Sequence, residues 1–302
     1  MRVLVTGAGG FVGSHVARTL LAQGHAVTAL ARPSTSLARV ADIAGALAVA
    51  HVDSADALPT AVANARPEAC IHLAWYAEPG RYLNAAPENI ASLNYSLSLL
   101  DALIQSGCKQ IVMAGTCAEY DAERGWLHED GPTKPETIYA ASKLALSFIA
   151  AQIAATAGVS FAWARLFYLY GPYEDERRMV PALLRSLLRS QPFPASSGEQ
   201  VRDYLHVEDV AAGLCTLAAQ KAAGVYNVSS GEPVAVRHLM ETAASVVGKA
   251  GLIQFGVLPP RQWDPPFICG DSRKLQALGW QPRYSLRRGL AQTVGWWQQR
   301  LG

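Results

Sequence analysis

Short apolar runs alternate with longer amphipathic segments along residues 1–170. The runs, rich in Val, Ile, Leu and Ala, predict strands at 2–6, 25–31, 46–53, 69–73, 110–115 and 160–166. Segments of helical length lie between several of them, at 11–23, 86–106 and 138–158. Because parallel neighbours need crossover connections, this alternation predicts an α/β fold with a doubly wound parallel sheet.

The pattern changes after the Gly171-Pro172 pair. Pro and Gly become more frequent and the helical segments become shorter, which predicts a smaller mixed α/β lobe. We place the boundary near Tyr170, with a first domain at 1–170 and a second lobe at 171–302. Segments 201–210 and 225–229 are candidates for returning to the first domain.

Composition and charge narrow the class of protein. Of the 302 residues, 50% are hydrophobic and 17% are charged, which favours a well-filled core over long disordered tails. The formal net charge is +2 and the basic residues are scattered, so we expect a small anionic ligand and no nucleic acid. No apolar run is long enough to span a membrane, and the chain opens directly on a predicted strand. We therefore expect a cytoplasmic protein without a membrane partner.

The cysteines argue against a metal site. They are odd in number, widely spaced, and form no C-x-x-C or Cys/His pairing of the kind that binds zinc. Reduced thiols are expected at Cys70, Cys108, Cys117, Cys215 and Cys269.

A glycine-rich turn follows the first predicted strand. Gly7, Gly10 and Gly13 are spaced by three residues and lead into a segment with helical apolar periodicity. Glycine lets the backbone approach a pyrophosphate, whose charge is favoured by the N–H groups at a helix start. The turn therefore predicts a dinucleotide site, with Phe11 and Val12 among its contacts. It makes 1–170 the dinucleotide-binding domain and leaves 171–302 mainly to bind substrate.

A tyrosine and a lysine share one face of a predicted helix. Tyr139 and Lys143 are four residues apart, and a nearby ammonium lowers the pKa of a phenol from its usual value near ~10. Thr116 follows the fifth predicted strand, at the sheet edge where ligands bind. We expect Thr116 to orient a substrate oxygen toward Tyr139, so that proton and hydride move together.

These features resemble the extended short-chain dehydrogenase/reductase family, of the NAD-dependent epimerase/dehydratase type that modifies nucleotide sugars. The resemblance covers nearly the whole chain. It implies a Rossmann domain, a nicotinamide cofactor and a catalytic triad of Thr116, Tyr139 and Lys143, with Tyr139 and Lys143 also contacting the cofactor. It further implies a homodimer formed through 86–106 and 138–158.

The end of the second strand bears on the choice of cofactor. It lacks the acid that would accept the ribose hydroxyls of NAD, and Arg32 stands there instead. Arg32 would pair with a 2′-phosphate, so NADP(H) is preferred and NAD(H) is the alternative; otherwise Arg32 stacks on adenine or faces water. The resemblance adds cofactor contacts for Asp53, Leu73, Ala74 and Asn94, each of which has packing as its alternative role.

The residues after Thr116 depart from one branch of the family. In sugar-nucleotide 4,6-dehydratases the catalytic Thr is followed by Asp and Glu, which perform the elimination. Cys117 and Ala118 stand here, which argues against simple dehydration. Glu119 comes next, either as an extra acid or base or, preferably, as a carboxylate at the rim of the site.

The second lobe carries the expected substrate contacts. Segment 165–172 resembles an R-x-x-N-x-Y-G-P motif in which Tyr168 replaces the Asn that often touches the substrate phosphate. Arg202 lies in a run similar to R-D-x-x-x-V-x-D-V, and Arg261 and Asp264 resemble a late R-x-G-D segment. The resemblance implies that both arginines bind a diphosphate and that Asp264 binds ribose; surface salt bridges are the alternative.

Two aromatic side chains complete the candidates. Trp75 lies near the predicted site loops and is a candidate substrate contact. His206 lies on an apolar run and is expected to be packed rather than catalytic.

The favoured function is the NADPH-dependent reduction of a nucleoside-diphosphate 4-keto-6-deoxysugar to the 4-hydroxy sugar. In this reaction Tyr139 would protonate the keto oxygen. The alternative is an NAD-dependent nucleotide-sugar 4-epimerase that retains its NAD. A third hypothesis is a binding protein that senses the dinucleotide without turnover.

Overall fold

The computed structural model describes residues 1–259 and 265–301. Its strands are β1 (Arg2–Thr6), β2 (Ala26–Ala31), β3 (Leu47–His51), β4 (Ala69–His72), β5 (Gln110–Thr116), β6 (Trp126–Leu127), β7 (Ser160–Leu166), β8 (Tyr168–Tyr170), β9 (Phe193–Pro194), β10 (Val201–His206), β11 (Gly224–Val228), β12 (Pro233–Ala235), β13 (Ile253–Gln254) and β14 (Phe267–Gly270). Its helices are α1 (Phe11–Ala22), α2 (Leu58–Ala65), α3 (Ala86–Gln105), α4 (Ile138–Ala157), α5 (Met179–Leu188), α6 (Val207–Ala219), α7 (Val236–Val247), α8 (Arg273–Gln276) and α9 (Leu286–Leu301).

The central sheet consists of seven parallel strands in the order β11-β7-β5-β4-β1-β2-β3. Val5, Ile71 and Val112 on its inner strands are fully buried, as expected where helices cover both faces. The chain order reverses between β1 and β4, so these strands open a crevice at their carboxyl ends. The predicted doubly wound α/β fold is confirmed.

Helices cover the two faces of this sheet. α1 and α6 pack together on one face, where Val16 and Leu20 of α1 share a buried cluster with Leu214 of α6. On the other face, Leu99 and Leu103 of α3 belong to a cluster that also includes residues of α2 and α4. In α1 and in α3 the two side chains are four residues apart, so one face of the helix is buried.

The second lobe is smaller and mixed. Its sheet runs β12-β10-β14-β6, with β8 paired to β10, and α5, α7 and α9 enclose a core that contains Leu183, Leu239 and Leu290. β11 returns to the edge of the central sheet beside β7. The chain therefore crosses between the lobes more than once, and β10 leads directly from the second lobe into α6 on the first.

One helix in the described part of the chain, α4, is long and apolar enough to cross a membrane. It packs against α3 and β7, and it carries Lys143 buried on its inner side. Its outer side exposes Phe148, Ile149 and Ile153. These contacts are those of a core helix with one uncovered apolar face.

Candidate active site

The turn after β1 has room for glycine alone at two positions. Gly7 has φ +72°, and a Cβ there would lie 3.0 Å from the Ala74 backbone N at the end of β4. A Cβ at Gly13 would lie 2.0 Å from the Gly7 carbonyl oxygen, much closer than any van der Waals contact. The Gly10 N–H donates to the same oxygen at 2.8 Å. The loop is therefore wound tightly against both its own strand and the neighbouring one.

This turn presents the start of α1 to the crevice. Gly10 caps the helix with extended backbone and no side-chain hydrogen bond, and the first turn contains no acidic residue. The N–H groups of the first turn, at Phe11 and Val12, are those that a helix leaves for an external acceptor. A dinucleotide pyrophosphate fits such a site, because these N–H groups and the absence of side chains at the glycines let it approach closely.

A hydroxyl fixes the turn at the end of β4. The Thr6 Oγ1 accepts hydrogen bonds from the Leu73 and Ala74 backbone N–H groups, both at 3.1 Å. It lies 2.7 Å from the Nδ1 of His72. Because Oγ1 already accepts two bonds, it donates its own hydrogen to His72. The predicted cofactor contacts Leu73 and Ala74 are thus held directly beside Gly7.

The same reasoning assigns the tautomer of His72. Its Nδ1 accepts from Thr6, so its Nε2 carries the hydrogen and donates to the Ser96 hydroxyl at 2.8 Å. The Ser96 hydroxyl donates in turn to the Ser92 carbonyl at 2.7 Å. Burial lowers the pKa of His72 to about 3, with a smaller contribution from the charge of Lys143. His72 is therefore a neutral link between β1, β4 and α3.

The other predicted cofactor contacts are more exposed. Arg32 and Asp53 lie in solvent just after the carboxyl ends of β2 and β3, on the side of the sheet where an adenosine would extend from the glycine turn. Asn94 is exposed on α3, whereas Asn89 and Ser96 of that helix are fully buried. The structure does not bring Asn94 into the buried cluster around the crevice.

Thr116, Tyr139 and Lys143 converge at the carboxyl end of β5. Thr116 ends the strand, and its side chain lies near enough to Tyr139 to lower the pKa of the phenol. Lys143 is 4% exposed and donates from Nζ to the Ala114 carbonyl of β5 at 2.7 Å. Thr137 caps α4 by accepting the Ala140 N–H at 3.2 Å, which fixes the helix start. The predicted triad thus forms one continuous cluster.

Burial dominates the electrostatics of this cluster. It raises the pKa of Tyr139 above its usual value, and the neighbouring Tyr82 adds to that effect while Thr116 opposes it. Burial lowers the pKa of Lys143 to about 7, although the charge of Glu119 opposes that shift. A protonated Tyr139 suits proton donation to an oxyanion, and a charged Lys143 is needed when the phenolate forms.

Glu119 is fully buried and does not lie at the rim of the site, so the preferred interpretation of the sequence is wrong. Its Oε1 accepts the Thr116 backbone N–H at 2.8 Å, and its Oε2 accepts the Trp163 Nε1–H at 3.0 Å and the Arg165 Nε–H at 2.7 Å. Burial raises the pKa of Glu119, and the charge of Arg165 opposes this. Thr116 and Glu119 form a capping box, a signal that was present in the sequence as T-x-x-E.

A segment between β4 and α3 covers Tyr139 and Lys143. We call residues 75–85 the strap. The ring of Tyr82 meets the ring of Tyr139 edge-on at 4.9 Å, and the Leu83 carbonyl accepts the Tyr139 N–H at 3.1 Å. The Arg178 guanidinium, from the second lobe, lies 5.1 Å from the centre of the Tyr82 ring. Apart from Trp75, the strap and its buried anchor Asn89 were not among the predicted site residues.

The chain matches a known family over most of its length. A model of the NAD dependent epimerase/dehydratase family matches residues 3–229. The chain belongs to this family. The predicted resemblance is confirmed, and the chain is an NAD(P)-dependent enzyme of the short-chain dehydrogenase/reductase type.

Individual members of the family match along most of their length. The UDP-glucose 4-epimerase of Corynebacterium glutamicum is 28% identical over 100% of this chain and 97% of its own. The dTDP-6-deoxy-L-talose 4-dehydrogenase (NAD(+)) of Aggregatibacter actinomycetemcomitans is 24% identical over 89% of this chain and 99% of its own. The solved structure of the Thermus thermophilus UDP-glucose 4-epimerase in complex with NAD has a TM-score of 0.86 at 28% identity, covering 99% of each chain.

The predicted substrate contacts Tyr168 and Arg202 lie on the paired strands β8 and β10. Tyr168 pairs with Tyr204 across these parallel strands, and the Arg202 guanidinium lies 5.4 Å from the centre of the Tyr168 ring. Arg202 is 2% exposed and donates to the Val201 carbonyl at 2.7 Å. This placement differs from a surface salt bridge. The predicted contacts Arg261 and Asp264 lie outside the described residues.

His206 is buried, as expected from its place on an apolar run. Its ring lies between those of Tyr170, at 5.4 Å, and Tyr284, at 4.2 Å. Its Nδ1 accepts the Glu208 N–H at the start of α6, and burial lowers its pKa to about 4. These contacts make it a link between the second lobe and α6.

Proposed function

We propose that this protein is an NAD-dependent 4-epimerase of a nucleotide sugar. The observation that carries the proposal is the buried cluster of Thr116, Tyr139 and Lys143. Besides the Tyr139 phenol, the described part of the chain gives this cluster no carboxylic acid that is not already ion-paired. Cys117 and Ala118 have no carboxylate, and the Glu119 carboxylate forms a buried ion pair with Arg165. Such a site can oxidise and reduce one carbon but cannot eliminate water by paired acids.

The residues divide the proton chemistry at C4 between them. The Thr116 hydroxyl would form a hydrogen bond with the C4 oxygen, either as donor or as acceptor, and so orient that oxygen toward Tyr139. Tyr139, as phenolate, would take the C4 hydroxyl proton and later return it to the keto oxygen. Lys143 would stabilise the phenolate by its charge. The nicotinamide of bound NAD supplies the hydride acceptor and donor.

The choice of NAD over NADP replaces the preference drawn from Arg32. The Thermus thermophilus relative was solved with NAD, and the Aggregatibacter actinomycetemcomitans relative is named for NAD(+). Arg32 borders the exposed end of β2, which fits stacking on adenine as well as pairing with a phosphate. An epimerase needs no net reductant, so NAD is sufficient for the proposed cycle.

A second candidate is the reduction of a nucleoside-diphosphate 4-keto-6-deoxysugar. The Aggregatibacter actinomycetemcomitans relative, a sugar 4-dehydrogenase by name, favours it. The same three residues would then perform one half of the epimerase cycle, with Tyr139 as the proton donor. The two functions differ in whether the cofactor is regenerated on the enzyme.

Cofactor analysis and turnover separate these candidates. The cofactor released from purified enzyme is identified by mass, and UDP- and dTDP-hexoses are then incubated with the enzyme without added nucleotide. We expect bound NAD and a change of configuration at C4 by proton NMR, lost in Tyr139→Phe and kept in the Tyr226→Phe control. Oxidation of added NADH or NADPH by a 4-keto sugar, without any isomerisation, would overturn the epimerase proposal and favour the reductase.

A further inference from the structure

The ammonium of Lys143 lies on the face of an indole ring. Its Nζ is 4.0 Å from the centre of the Trp75 ring and also donates to the Ala114 carbonyl at 2.7 Å. Lys143 is 4% exposed, so water contributes little to its solvation. A cation held over the face of Trp is stabilised most strongly when both groups are desolvated.

The indole is fixed in this position by a buried amide. The Trp75 Nε1–H donates to the Asn89 Oδ1 at 2.8 Å. The Asn89 Nδ2 donates to the carbonyls of Tyr82 at 2.7 Å and Ala85 at 2.8 Å. Because the oxygen faces an N–H and the nitrogen faces two carbonyls, the orientation of the amide is unambiguous. Asn89 therefore ties the first residue of the strap to its last residues.

We propose that Trp75 is a positioning residue for Lys143: its ring, locked by Asn89, holds the ammonium charged and in place beside Tyr139. This role deepens the proposed function and rests on it, because the charge on Lys143 matters to turnover only where Tyr139 exchanges a proton. The sequence suggested a substrate contact for Trp75. In the structure, one face of its ring meets the ammonium of the lysine.

Other groups around Lys143 also favour or disfavour its charged form. Glu119, from the turn after β5, favours the ammonium, and burial disfavours it. His72, from β4, is neutral by the tautomer argument and would repel the ammonium only if it were protonated. Tyr139, one turn earlier on α4, attracts it as phenolate. Before the phenolate forms, the charge of Glu119, the Ala114 carbonyl and the Trp75 ring all favour the ammonium of Lys143.

Carbon-13 NMR of labelled lysine measures this effect without turnover. The chain has only six lysines, so the Lys143 signal can be assigned with Lys143→Arg. In Trp75→Leu we expect the titration midpoint of Lys143 to fall by about one and a half pH units, since a desolvated cation–π contact is of that strength. Trp75→Phe keeps a ring and should shift it less. Trp280→Leu removes another buried indole that donates to a carbonyl and should leave the midpoint unchanged.

A kinetic measurement tests the consequence for Tyr139. A neutral Lys143 no longer stabilises the phenolate, so the acidic limb of kcat for C4 oxidation should move to higher pH in Trp75→Leu, with KM little changed. Asn89→Ala leaves the ring but frees it, and should lower the Lys143 midpoint in part. If Trp75→Leu does not fold, the Lys143 midpoint in Asn89→Ala tests the role of Trp75.

Different results would overturn the role of Trp75 and the epimerase proposal. An unchanged Lys143 midpoint in Trp75→Phe, Asn89→Ala and any folded Trp75→Leu would overturn the role of Trp75, whatever happens to the rate. A shifted midpoint in an enzyme that inverts no nucleotide sugar would overturn the epimerase proposal and leave the contact with Lys143 standing.

Discussion

Glu119→Gln tests whether a buried carboxylate supports Thr116, the threonine proposed to orient the substrate. In the wild-type protein, Glu119 accepts the Thr116 N–H and pairs with Arg165, whose side chain is 4% exposed. The glutamine keeps an acceptor for the Thr116 N–H but removes the negative charge. Because arginine does not deprotonate in proteins, Arg165 is left as an uncompensated buried charge.

The expected loss of stability is large. Breaking a buried ion pair from one side costs about 3 to 5 kcal/mol. For 302 residues the unfolding entropy near the melting temperature is about 0.6 kcal/mol per kelvin. The Tm of Glu119→Gln should therefore fall by about 5 to 8 °C, measured by thermal unfolding followed by tryptophan fluorescence. We expect kcat to fall about tenfold with KM little changed, since the orientation of Thr116 is what loosens.

The double variant Glu119→Gln/Arg165→Met provides the control. It removes both charges, so it should regain part of the stability lost in Glu119→Gln while kcat stays low. Arg165→Met alone should be destabilised because it leaves the carboxylate unpaired. A Tm for Glu119→Gln within about 1 °C of the wild type, or strictly additive losses in the double variant, would refute the idea of a coupled buried pair.

Two further predictions concern His72 and the outer face of α4. Burial holds the folded-state pKa of His72 at about 3 against an ordinary 6.5, so below the ordinary pKa the unfolded chain binds the proton first. Stability should then fall by about 2 kcal/mol between about pH 6.5 and pH 5, and this slope should be flatter in His72→Gln by urea unfolding. Phe148 is 63% exposed beside Ile149 and Ile153, and we expect this face to form a homodimer. Phe148→Glu should give a monomer by light scattering, whereas Arg32→Glu should not.

The parts of the site set by local spacing could be predicted from the sequence. The glycines of the turn and the Tyr139, Lys143 pair depend on helix and turn geometry within a few residues, and the parallel sheet then brings Thr116 to the same edge. The order of apolar runs also predicted the doubly wound sheet. Local periodicity and the crossover rule are enough for that level of description.

The supporting contacts could not be predicted in the same way. Glu119 and Arg165 are joined only because β5 and β7 are neighbours in the sheet, and Trp75 meets Asn89 only because the strap folds back onto α3. Such partners are separated along the chain, so their contacts depend on tertiary packing. The rim placement of Glu119 followed the general exposure of glutamate, although the capping-box spacing favoured a structural role.

In the proposed function, the short turn from Thr116 to Glu119 is what distinguishes this enzyme from a dehydratase. Thr116 would serve the proton chemistry, and the buried carboxylate of Glu119 accepts its backbone N–H. Cys117 is buried in an apolar cluster with Phe167 and Ile268, where burial and then the charge of Asp203 raise the pKa of its thiol to about 12. An aspartate introduced at this position would have to bury its charge beside those apolar side chains or stay protonated. Acquiring elimination chemistry would therefore require rebuilding the packing behind the turn as well as exchanging the two residues that follow Thr116.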